Sequence, residues 1–262
     1  MSAFKYRRLT RHVGAELLEP PPLGSFSAEQ IEALKAALAD FGVIFFRNDT
    51  LEPVAHMAFA GQFGPVRAPS VLIETLASAG FPDIGVISTE NKLAYGSDKW
   101  HSDVTWMPEP SQYSILHMQV SPDLGGDTMW SAQFAAYETL SDPMKRYLNG
   151  RTALHKPSAA SDLEAHHPMV VRHPRNGRLA LFANNLFTRS IDGVDEDEST
   201  AILSYLKMHA IRPEFICRWT WSNGDIAVWD NHYVQHYALG DYHPAPRKIH
   251  RVEILGHAPV GA

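Results

Sequence analysis

The chain has a single cysteine, Cys217. One thiol makes neither an intramolecular disulfide nor a cysteine-based zinc site. Such sparing use suits a reducing compartment, and a cytoplasmic location is expected. No apolar run approaches membrane-spanning length, and Met1-Ser2-Ala3-Phe4-Lys5 does not read as a signal peptide. A basic excess is also missing. The formal net charge is −6, which argues against nucleic acid or an anionic membrane as the main partner. There is no internal repeat, no low-complexity tract and no dividing linker, so residues 1–262 are expected to form one domain.

What remains is a globular composition, 45% hydrophobic and 20% charged, with enough apolar surface for a sizeable core. Phe4 to Leu9 alternates weakly as a first strand. Ser27 and Gln30 form a capping-box pattern ahead of a helix that turns Ile31, Leu34, Ala37 and Leu38 to one side and stops near Gly42. Val43 to Phe46 is a buried strand, and Pro53 opens a second helix. Residues 66–98 read poorly, with a strand only over Ile84 to Ile87, and are expected to hold a loop that closes over the site. From Tyr113 onward, short alternating segments are separated by turns such as Gly125-Gly126-Asp127, with few helices among them. The pattern predicts a double-sheet jelly roll decorated by helices, mainly β, and not alternating βαβ units.

One triplet carries chemistry. His101-Ser102-Asp103 is the only His-x-Asp in the chain. On an extended strand both side chains leave by one face, so an imidazole and a carboxylate occupy adjacent positions on a divalent metal. A distant histidine then completes a 2-His-1-carboxylate face with open positions opposite, the arrangement that suits non-haem Fe(II) oxygenases. The stretch Trp229 to Tyr237 offers His232 and His236, of which His236 is preferred. Arg247 and Arg251 follow on a predicted strand with equal parity, so both guanidinium groups face one side. Two buried guanidinium groups are costly unless they meet anions, and a dianionic co-substrate plus an anionic substrate would satisfy both.

Together, Trp100-His101-Ser102-Asp103-Val104-Thr105, Gly125 to Trp130, Trp229-Asp230-Asn231 through His236-Tyr237-Ala238, Asp241-Tyr242 and Arg247-Lys248-Ile249-His250-Arg251 resemble the taurine dioxygenase (TauD/TfdA) family. The likeness covers nearly the whole chain. It implies a double-stranded β-helix (cupin-like jelly roll) with helical insertions and a dioxygenase that uses Fe(II), 2-oxoglutarate and O2. By position it makes His101, Asp103 and His236 the iron ligands, and Thr128 and Arg247 the anchors of the 2-oxoglutarate distal carboxylate. Arg251 matches the arginine that meets the substrate anion, Val104 and Phe187 match pocket positions, and Ser97 stands where the family has a substrate-contacting Asn. The His and Tyr that help hold taurine have no counterpart around Arg67 to Leu72, a departure that bears on taurine and leaves the cofactor half intact.

The expected reaction is hydroxylation of a C–H in a small anionic molecule such as a sulfonate, sulfate ester or carboxylate, giving succinate and CO2. Desaturation or cyclisation of an amino-acid-like substrate is the alternative outcome on the same iron. A non-catalytic jelly-roll binding module is the alternative of a different class, and it would show no oxygen-dependent turnover. A homo-oligomer is expected.

Overall fold

The computed structural model describes residues 4–47, 51–69, 73–89 and 98–262. Its largest element is a nine-stranded sheet. Across it the strands run Lys5–Arg8, Ala15–Leu18, Val43–Phe46, Ile226–Asp230, Tyr113–Val120, Lys248–Ile254, Phe81–Ser88 and Glu74–Leu76, while Val66–Arg67 pairs at one end of Lys248–Ile254. A three-stranded sheet, Ile216–Trp219, Thr128–Ala132 and Val234–Ala238, packs over one face. Smaller sheets add Thr152–His155 with Ala165–Pro168 and Thr188–Ile191, and Val170–Arg172 with Leu179–Leu181. This is a double-stranded β-helix with helices outside, as the turn-separated strands predict.

Alternation along the central strands divides the core in two. Ile44, Phe46, Ile115, Ile226 and Val228 meet the helices Ala28–Phe41 and Pro53–Gly61, against Leu34, Leu38 and Phe59. Val43, Phe45, Leu116, Ala227 and Trp229 point the other way, into the space between the sheets, with Trp130 and Trp219. Because both faces are covered, a strand such as Val43–Phe46 reads as one continuous apolar run. The first helix starts on the capping box read from the sequence: Gln30 N donates to Ser27 Oγ at 3.2 Å and Ser27 N to Gln30 Oε1 at 2.9 Å. Among the described residues no helix is long and apolar enough to cross a membrane.

Within the stretch expected to be a closing loop, 66–98, the described part is largely sheet. Phe81–Ser88 pairs along Lys248–Ile254, with Gly85 opposite Arg251. Gly85 weakens the sequence signal for this strand, but a Cβ there would come within 3.1 Å of Ile73 Cγ2, so the close packing itself favours glycine. Residues 70–72 and 90–97, and with them the candidate Ser97, lie outside the described residues.

Candidate active site

Val234–Ala238 carries His236 opposite Trp130 on one side. On its other side it meets His101 in a single antiparallel bridge, His101 N to His236 O at 3.1 Å and His236 N to His101 O at 2.7 Å. His101-Ser102-Asp103 is therefore not the extended strand that the spacing suggested. The chain pairs once at His101 and then turns, with Ser102 Oγ donating to Val234 O at 2.8 Å and Val104 at φ +47°. A β-branched residue in the left-handed region is strained, and such strain persists only where its surroundings hold it. Here His167 Nε2 donates to Thr105 O at 2.9 Å, and Thr105 Oγ1 lies 2.9 Å from His155 Nδ1. The turn still brings the carboxylate beside both imidazoles.

His101, Asp103 and His236 are the one group of three or more potential ligands among the described residues whose ligand atoms all lie within 4.8 Å of one another. His101 Nε2 is 3.8 Å and His236 Nε2 3.7 Å from Asp103 Oδ1. His101 Nδ1 sits 2.6 Å from Lys99 O, and since a carbonyl only accepts, the proton is on Nδ1 and the Nε2 lone pair is free. Burial drives the His101 imidazole pKa down, and it takes His236 to about 3, so both rings are neutral, the form that binds a metal. Burial alone would raise the Asp103 carboxyl; the charge of Arg251 and the Ser114 hydrogen bond oppose it, and the carboxyl is held low beside the two imidazoles.

Three residues that sequence reasoning missed hold Asp103. Ser114 Oγ donates to Asp103 Oδ2 at 2.7 Å, Asn231 Nδ2 donates to Ser114 Oγ at 2.8 Å, and Asn231 Oδ1 accepts from both Asp103 N at 3.1 Å and Trp229 Nε1 at 2.8 Å. The chain thereby fixes one carboxylate oxygen and leaves the other facing the imidazoles. His232 does not join the site: its ring lies 5.1 Å from His257 and 5.9 Å from Phe182.

Arg247 and Arg251 both point inward, as their parity requires, with Ile249 in the core between them. Arg247 Nε donates to Gly126 O at 3.0 Å and Nη2 to Thr128 Oγ1 at 3.4 Å. Gly126, at φ +70°, allows this approach: a Cβ there would sit 3.2 Å from Arg247 Cδ and 2.8 Å from Pro122 Cγ. The carboxylate of neighbouring Asp127 is engaged by Arg218 Nε at 2.5 Å and Thr220 Oγ1 at 3.0 Å. Among the described residues the 5%-exposed Arg247 thus makes no ion pair, and burial lowers its pKa. A buried guanidinium with no carboxylate partner fits an incoming carboxylate. Arg251 differs: Nη1 is 3.3 Å from Asp103 Oδ1 and Nη2 is 3.1 Å from Glu253 Oε2. Phe187 stands edge-on 5.9 Å from the His101 ring, with Trp106 packed on it at 4.5 Å, and the two rings form an apolar wall beside the imidazoles.

Similar proteins carry the same arrangement of sequence and fold. The family described as taurine catabolism dioxygenase TauD, TfdA family matches residues 5–252. An alpha-ketoglutarate-dependent sulfate ester dioxygenase of Pseudomonas putida is 33% identical, covering 95% of this chain and 88% of its own length. An alpha-ketoglutarate-dependent 2,4-dichlorophenoxyacetate dioxygenase of a Burkholderia species is 28% identical over 89% of this chain and 88% of its own. The crystal structure of a taurine dioxygenase from Burkholderia xenovorans superposes with a TM-score of 0.89 at 34% identity, covering 99% of this chain and 91% of that one. With a match that spans nearly every strand described above, the chain belongs to the TauD/TfdA dioxygenase family.

Proposed function

We propose that this chain holds Fe(II) with His101, Asp103 and His236, binds the distal carboxylate of 2-oxoglutarate with Arg247 and Thr128, and uses O2 to hydroxylate a small anionic substrate. Arg251, Val104, Phe187 and Ser97 are the proposed substrate contacts. One observation carries the reading: two neutral imidazoles and a carboxylate converge within 4.8 Å in the same interior that holds a buried guanidinium with no ion-pair partner among the described residues. A hydrolytic zinc site has no need of that guanidinium.

Fe(II) bound here, with 2-oxoglutarate and O2, supplies oxidation of a substrate C–H coupled to conversion of 2-oxoglutarate to succinate and CO2. The chain does the rest. Arg247 offers a charge-assisted contact worth about 1.5–3 kcal/mol to a carboxylate, and Thr128 Oγ1, fixed by Trp221 Nε1 at 3.0 Å, adds a hydroxyl. Ser114 and Asn231 keep Asp103 from rotating. Phe187 and Trp106 exclude water and press the organic part of the substrate toward the imidazoles. Arg251 meets the anion and so sets which C–H is presented. When the hydroxylated carbon bears a sulfate oxygen, the C–O bond breaks, sulfate leaves and an aldehyde remains. The relatives that act on sulfate esters support this substrate class. The cytoplasm, where Fe(II) is kept reduced, is the proposed compartment.

The test is succinate release from 2-oxoglutarate under air with Fe(II), with a panel of alkyl sulfates, sulfonates and aryloxyalkanoates as substrates. Stimulation by one class, lost in His101→Ala and His236→Ala, is expected. Unchanged turnover in those variants ends the proposal.

A further inference from the structure

Arg251 has a second carboxylate neighbour that the proposed reaction does not use. Glu253 is 4% exposed, on the same face of the strand Lys248–Ile254 as Arg251. Its Oε2 lies 3.1 Å from Arg251 Nη2, and its Oε1 accepts from Ser111 Oγ at 3.0 Å. Directly across the ladder is Arg67. Arg67 Nη2 donates to the backbone oxygen of Glu109, its Nε is buried without a partner, and among the described residues it makes no ion pair. Two guanidinium groups thus act on one buried carboxylate: burial pushes the Glu253 carboxyl up, and the charges of Arg251 and, more weakly, Arg67 oppose the rise.

The charges can be counted. Asp103 belongs with the metal. Arg67 and Arg251 together bring two positive charges, and Glu253 removes one. The subsite at Arg251 is left with a single net positive charge in a water-poor interior, where an uncompensated charge is felt far more strongly than in water. A singly charged group against Arg251 balances it. A doubly charged group of the same shape places its extra charge beside the Glu253 carboxylate. Specificity built on such a repulsion needs no additional contact to the favoured ligand.

We propose that Glu253 is a specificity-determining residue that acts through Arg251, restricting the anionic group of the substrate to a monoanion, a sulfate monoester or sulfonate, and rejecting the dianionic phosphate monoester of equal size. The inference rests on the reading of Arg251 as the substrate anchor. Glu253 touches neither the metal ligands nor the 2-oxoglutarate anchor, and its part is to set the charge that Arg251 presents.

The experiment is calorimetric titration, without oxygen, of the protein loaded with Fe(II) and 2-oxoglutarate, using n-hexyl sulfate and n-hexyl phosphate at pH 8. With a second phosphate pKa of about 6, the phosphate ester is then a dianion. Wild type is expected to bind the sulfate at least tenfold more tightly. Glu253→Gln keeps an oxygen for Arg251 but loses the charge, and is expected to narrow the ratio to threefold or less, chiefly by tighter phosphate binding. Glu253→Asp keeps the charge and the preference. A purely structural role would weaken both ligands in parallel and leave the ratio unmoved, which overturns the proposal. Equal binding of the two esters by wild type overturns it without any variant. Binding of neither ester by a protein that still converts 2-oxoglutarate to succinate removes the monoanion assignment and leaves the dioxygenase reading intact. Failure to bind Fe(II) or consume 2-oxoglutarate removes both.

Discussion

His101 and His236 are joined through their main chains, by hydrogen bonds of 3.1 and 2.7 Å, and not only through whatever their rings share. The pair is therefore set before any metal arrives. Replacing either side chain with alanine leaves the bridge intact. Both variants are expected to fold, with stability within about 1–3 kcal/mol of wild type, while Fe(II) binding falls below detection. Metal content after anaerobic loading and a thermal melt on the same samples check this. A variant that keeps stoichiometric iron refutes the ligand assignment.

Ser114 is expected to matter to iron without touching it. Ser114→Ala removes the hydroxyl that donates to Asp103 Oδ2 at 2.7 Å and frees the carboxylate to rotate. Residues that orient a ligand in this way usually contribute about 10–100-fold to metal affinity. A competition titration against a chelator measures it. Wild-type affinity in the variant would mean that Asn231 and the turn suffice.

Arg247→Leu is expected to raise KM for 2-oxoglutarate by roughly 10–150-fold, the equivalent of a charge-assisted contact of about 1.5–3 kcal/mol, while iron binding persists. Thr128→Val removes one neutral hydrogen bond, and an effect of about fivefold is expected. Varying 2-oxoglutarate at saturating Fe(II) separates the two. An Arg247→Leu effect of only a few-fold, smaller than that of Thr128→Val, refutes the guanidinium as the principal anchor of the co-substrate.

Arg251→Ala is expected to abolish stimulation of succinate formation by an anionic substrate and to keep iron. It also leaves the buried Glu253 without its ion-pair partner, so a loss of stability of about 3–5 kcal/mol accompanies it. Thermal melts alongside turnover distinguish that cost from a lost anchor. Retained stimulation in the folded variant refutes the anchoring role.

Acid is expected to unfold the protein partly through buried imidazoles outside the proposed metal site. Burial lowers His56 and His232 to about 3. Between that value and the unfolded value of about 6.5, the unfolded chain binds more protons, so stability rises with pH and is lost on acidification through that window. Asp230, raised to about 7 by burial, has the opposite sign: its contribution is present at low pH and fades as pH climbs to 7. Two histidines outweigh one aspartate, and Tm is expected to fall from pH 7 to pH 4. His56→Leu should flatten that slope by up to about 1.4 kcal/mol per pH unit. An unaltered slope in the variant refutes it.

The convergence of His101, Asp103 and His236 was legible because three residue types of matching chemistry stand in a readable order, with Arg247 and Arg251 following at equal parity. The strands Val43–Phe46, Tyr113–Val120 and Thr152–His155 were legible because alternation and apolar runs survive burial. Ser114 was not: a serine in an alternating strand looks the same whether it meets solvent or an aspartate. Glu253 looks like an outward residue of an edge strand, yet its strand lies inside the nine-stranded sheet with both faces covered. The extended geometry expected at His101–Asp103 failed because tertiary pairing with His236 and the clamp on Thr105 overrode local preference. Of Phe81–Ser88 only Ile84 to Ile87 was legible, because Pro82 and Gly85 read as breakers when the neighbouring strand is unknown.

The bridge between His101 and His236 also bears on biogenesis. His236 follows His101 far along the polypeptide, so the proposed ferrous centre cannot be completed until the strand Val234–Ala238 has been made and has inserted between Thr128–Ala132 and residue 101. Iron loading consequently waits for that strand, and a nascent or truncated chain that stops short of it carries two of the three ligands and no oxidising power.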